Sequence, residues 1–85
     1  MKILIKVDCK EGEESMWLSD IEESELDLVA PLIRDIKLNN GYWPEGVQQY
    51  PGYLEIKNRL PSPPSGIERI SEIYVFSNDL FSLIM

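Results

Sequence analysis

Residues 2–10 read KILIKVDCK, and their alternation decides the fold class. Ile3, Ile5, Val7 and Cys9 point one way; Lys2, Lys6, Asp8 and Lys10 point the other, and Leu4 is the exception. A period of two with β-branched residues predicts a half-buried β-strand. Cys9 is in phase with the apolar set, so it reads as a small core residue and not as a reactive thiol. Lys10 to Glu14 supply a Gly-centred turn, and Ser15-Met16-Trp17-Leu18 reads as a short returning strand.

Downstream, Ser19-Asp20-Ile21-Glu22 and Ser24-Glu25-Leu26-Asp27 both carry helix-start signals, which places a helix start within 19–25. Leu28, Val29, Leu32, Ile33 and Ile36 recur at helical spacing, and Asn39-Asn40-Gly41 is a stop signal. Pro31 falls inside, where it removes a backbone donor and crowds the carbonyl four residues back. The expected helix over 20–39 is therefore kinked or broken. Residues 42–53, YWPEGVQQYPGY, have no period and read as a loop. Residues 54–58 alternate and predict a third strand. Residues 60–66 form a stiff Pro-rich connector, and Ile73 to Phe76 give the next strong strand signal. Ser77-Asn78-Asp79 is expected to cap a final turn before Leu80–Met85. The architecture expected from these elements is α+β: one domain over 1–85, with a three- or four-stranded, mainly antiparallel sheet and one long, kinked or broken helix packed on one face.

Eight of the seventeen residues from 11 to 27 are Asp or Glu, and none is Lys or Arg. The formal net charge is −7, so nearly all of it belongs to this stretch. Direct nucleic-acid binding is not expected, because it needs clustered bases and the eight here are scattered. No apolar run approaches the roughly 20 residues that span a bilayer. The first ten residues lack the apolar block of a signal peptide, and the single cysteine suits a reducing cytosol. With no histidine and one cysteine, nucleophile–histidine pairs and tetrahedral zinc sites lack their ligands. No phosphate-binding glycine motif or calcium-loop spacing occurs, so no cofactor or metal is expected and catalysis is not anticipated.

What remains is binding. Glu11, Glu13 and Glu14 in the turn and Asp20, Glu22 and Glu23 at the helix start either just solvate the surface and complement the helix dipole, or lie side by side as one negative patch. Such a patch suits a protein partner with a basic surface. One example is an inhibitor that mimics nucleic acid, as in phage or plasmid counter-defence. Tyr42, Trp43 and Tyr50 are further contact candidates, against the alternative that their loop folds back onto a small core. Leu80, Phe81, Leu83 and Ile84 form an apolar C-terminus that suits a homodimer interface. The leading expectation is a non-catalytic acidic protein-binding module; the alternative is a small assembly subunit that self-associates through this terminus.

Overall fold

A computed structural model describes residues 1–77 and 80–85; the side chains of Leu80 and Phe81 lie outside that description, as does the expected cap at Asn78-Asp79. Strand β1 (Lys2–Cys9) turns into β2 (Glu14–Asp20), and helix α1 (Glu23–Leu38) follows. A 3₁₀ turn (Val47–Gln49) and a short helix α2 (Tyr53–Lys57) lead to β3 (Ile67–Ser77) and β4 (Leu80–Leu83). The strands form one antiparallel sheet in the order β2-β1-β3-β4. β1 is thus central, bonded to β2 on one side and β3 on the other.

The alternation of β1 does what its pattern predicts. Ile3, Ile5 and Val7 are fully buried and Cys9 nearly so, on the face that α1 covers. Val29, Leu32, Ile33 and Ile36 from α1 and Ile70, Ile73 and Val75 from β3 complete the same core. Each side chain of that size contributes roughly 1.5–3 kcal/mol by leaving water. Burial also raises the Cys9 thiol pKa, as expected for a core cysteine.

α1 is one helix of sixteen residues that runs through Pro31, so the chain is not broken there. Four buried residues of its stripe hold it against the sheet on either side of the proline, and this packing outweighs the lost backbone bond. The start lies at Glu22, whose amide donates to the Glu25 carboxylate at 3.1 Å. The stop signal behaves as read: the Gly41 amide donates to the Ile36 carbonyl, with Asn40 and Gly41 both at positive φ.

Residues 54–58 depart from expectation, because the segment is helical and not a strand. Gly52, at φ +88°, begins α2 close against Val29 of α1, and Ile56 is buried completely. One buried position in five residues does not need a period of two. Around the bend, β1 and β3 share a bulge at Ser71, whose hydroxyl donates to the Lys6 carbonyl at 3.1 Å.

Gly41 joins helix to sheet. A Cβ there would collide with the Ile70 carbonyl oxygen, while the Ile70 amide donates to the Gly41 carbonyl at 2.9 Å. Left-handed strain and overpacking then act together. Gly41→Ala is expected to lose about 3 kcal/mol or more of stability, measured by urea denaturation. A loss below about 1 kcal/mol would contradict this seat.

Candidate functional site

The acidic residues gather along the margin of β2, but in two groups. The hairpin turn between β1 and β2 is closed by the Cys9 amide donating to the Glu13 carbonyl at 2.7 Å and the Gly12 amide donating to the Cys9 carbonyl. The Lys10 amide donates to the Gly66 carbonyl, and Ser65 Oγ donates to the Glu13 carboxylate at 2.9 Å. These bonds fix the tip against the Pro-rich connector and leave Glu11, Glu13 and Glu14 exposed.

At the other end of β2 stand Asp20, Glu22 and Glu23, also exposed. Lys2 pairs with Asp20 at 2.6 Å and holds that carboxyl below its usual range. Arg59 builds the corner: Nε donates to the Asp20 carbonyl at 3.0 Å, Nη1 to the Glu55 carbonyl and Nη2 to the Glu25 carboxylate at 2.9 Å. One guanidinium therefore ties the end of β2 to the start of α1 and the end of α2. Among the described residues, Glu11, Glu14, Glu22 and Glu23 make no ion pair.

The expectation that turn and helix start lie side by side needs correction. β2 is extended, and its seven residues hold Glu14 and Asp20 about 20 Å apart. Sequence neighbours on a strand become the two ends of a rod. Between them lies a feature missed in the sequence: Met16, Trp17 and Leu18 are each about half exposed. Trp17 pairs with Ile5, on the helix-covered face, but at the sheet edge where cover is incomplete. A tryptophan within an acid-rich stretch was the available signal.

The aromatic loop is divided. Tyr50 packs against the core and donates to Asp35 Oδ2 at 2.6 Å, which lowers the carboxyl pKa of Asp35 and raises the phenol pKa of Tyr50. Trp43 meets the Tyr53 ring edge-on at 5.6 Å, and Tyr42 donates to Glu68 at 3.3 Å, each keeping roughly two-fifths of its surface exposed. None of these contacts reaches the acids of β2. At the C-terminus Leu83 is exposed on β4, while Ile84 and Met85 pack against the core.

A groove of about 690 Å³ runs between α1 and β4, with Ile33, Val75 and Ile84 among its apolar walls and Asp27, Arg34 and Lys37 around it. Among the described residues no cluster of three or more His, Cys, Asp or Glu could hold a metal ion, and no helix is long and apolar enough to cross a membrane. No protein-family model, curated protein or solved structure matches the chain.

Glu25 carries a pH signature of the corner. The Glu22 amide and then the Arg59 guanidinium depress its pKa below the ordinary 4.5. A depressed carboxylate stabilises the fold above its unfolded pKa, and the gain is lost as pH falls through the folded value. Wild type is therefore expected to be more stable than Glu25→Gln at pH 7. The difference should shrink steadily below pH 4.5 in urea titrations, and a gap that widened on acidification would contradict it.

Proposed function

We propose that the chain is a non-catalytic protein-binding module that engages a partner with a basic surface along the β2 margin. The observation that carries this reading is the arrangement on β2: unpaired carboxylates at both ends of the strand and half-exposed Trp17 between them. Carboxylates at the rim speed encounter and set orientation, whereas an aromatic anchor supplies the larger share of affinity. The Arg59 corner and the tethered hairpin tip hold the two ends at a fixed separation. The matching partner presents two basic sites about 20 Å apart with an apolar slot between them. A groove built to hold nucleic acid has that character, so an inhibitor that occupies one is the specific form proposed.

The test uses such a basic protein as the probe. Raising salt from about 50 to 500 mM is expected to weaken binding tenfold or more, mainly through association rate. Glu13→Gln with Glu14→Gln, and Glu22→Gln with Glu23→Gln, are each expected to remove part of that salt dependence. Trp17→Ala should cost at least about tenfold, chiefly in dissociation rate. Binding indifferent to salt and to both pairs of substitutions would overturn the proposal.

A further inference from the structure

One face of the sheet lies beneath α1, and the opposite face carries no layer among the described residues. Its side chains follow from register. Leu18, Leu4, Tyr74 and Leu83 stand opposite one another on successive strands, so one row of large residues crosses the whole sheet. Leu18 and Leu83 are each about half exposed. The next row along the strands holds Met16, Lys6 and Glu72, and the one beyond holds Glu14, Asp8 and Arg69. On the other side of the apolar row come Asp20, Lys2 and Phe76.

The face as a whole has three bases against four acids on a chain of net charge −7, so it is nearly neutral where the rest is strongly negative. Its charges are already arranged as pairs, with Lys6 bonded to Glu72 at 2.9 Å and Arg69 to Asp8 at 2.9 Å. Both pairs join β1 to β3, the two central strands.

We propose that a second copy of the chain covers this face, related by a two-fold axis parallel to the strands and passing between β1 and β3. That operation lays β1 of each copy over β3 of the other and β2 over β4. Every cross-strand pair of β1 and β3 then becomes a pair across the interface as well. Leu4 meets Tyr74 of the copy, and Leu18 meets Leu83. Lys6 meets Glu72 and Asp8 meets Arg69, so each intramolecular ion pair becomes half of a ring of four alternating charges.

A two-fold axis across the strands does worse. Drawn through the apolar row, so that Leu4 meets Leu4, it lays Lys6 over Lys2, and like charges meet. The favoured axis also keeps the strands of both copies nearly aligned, the usual arrangement of two packed sheets.

Size permits this. Eight residues of β1 and four strands give a face of about 500 Å², or about 1,000 Å² for two copies, at the threshold for a specific association. The dimer is therefore weak to moderate in affinity.

Analytical ultracentrifugation of the whole chain over roughly 1–500 µM tests the proposal. The expected result is a mass that rises from monomer to dimer and no further. Leu18→Lys with Leu83→Lys brings like charges together across the axis at two exposed positions, and should weaken association tenfold or more with the fold intact by circular dichroism. The swap Lys6→Glu with Glu72→Lys keeps the internal pair and keeps self-association. Mixed with wild type, however, it sets Lys against Lys and Glu against Glu. Native mass spectrometry should then show mixed dimers depleted below the statistical half. A monomer at every concentration, a dimer indifferent to the leucine substitutions, or statistical mixing would each overturn the proposal. Glu14, Leu18 and Asp20 lie on this face, whereas Trp17 pairs with Ile5 on the other face and Glu22 and Glu23 follow the strand, so loss of partner binding in Trp17→Ala or in Glu22→Gln with Glu23→Gln is a result separate from dimerisation.

Discussion

Ile3, Ile5 and Val7 of β1 lie against the stripe of α1, and this contact orders the rest of the molecule. β1 is hydrogen-bonded on both sides, so covering one of its faces fixes the register of β2 and β3 together. A shift of one residue would turn four buried side chains into water and bring Lys2, Lys6 and Asp8 under the helix. At roughly 1.5–3 kcal/mol for each apolar side chain, such a slip exceeds half the stability a domain of this size commonly has. Gly41 and Gly52 serve the same contact, since they bring the loop after α1 to β3 and α2 onto α1.

The register then sorts the charges. Bases on β1 and β3 find acids on neighbouring strands: Lys2 with Asp20, Lys6 with Glu72 and Arg69 with Asp8. These pairs are partly exposed and individually add little to stability. Their effect is on distribution. They consume the bases near the sheet, so that the turn and the helix start are left with carboxylates and few counter-charges. The two unlike surfaces, an uncompensated margin and a nearly neutral face, come from one pattern of strand pairing.

Much of this could be read from the residues. The alternation of residues 2–9, the stripe from Val29 to Ile36 and the Asn39-Asn40-Gly41 stop gave the central strand and the helix, and with them the α+β class. Five alternating residues at 54–58 could not distinguish a strand from one helical turn, and a seat against Val29, far away in sequence, decided for the helix. Pro31 argued for a kink or a break, and of these the break does not occur, because packing on both sides of the proline keeps α1 one helix. The acidic stretch forms two groups and not one patch because closeness along an extended chain is distance in space. The open face did leave traces: Leu4 broke the alternation of β1, and Ile73 to Phe76 ran apolar on both sides of its strand. Together they mark a sheet with two apolar faces.

The central position of β1 also governs how the chain reaches its fold. Lys2 pairs with Phe76, so the first strand waits for a segment more than seventy residues later. Chain entropy opposes so distant a closure, and domains rich in such pairings fold in milliseconds to seconds, not microseconds. During synthesis the hairpin and α1 emerge well before β3, and one side of β1 has unsatisfied amides and carbonyls meanwhile. Until β3 arrives, that edge of β1 is the part of the hairpin on which any other extended chain could add as a strand.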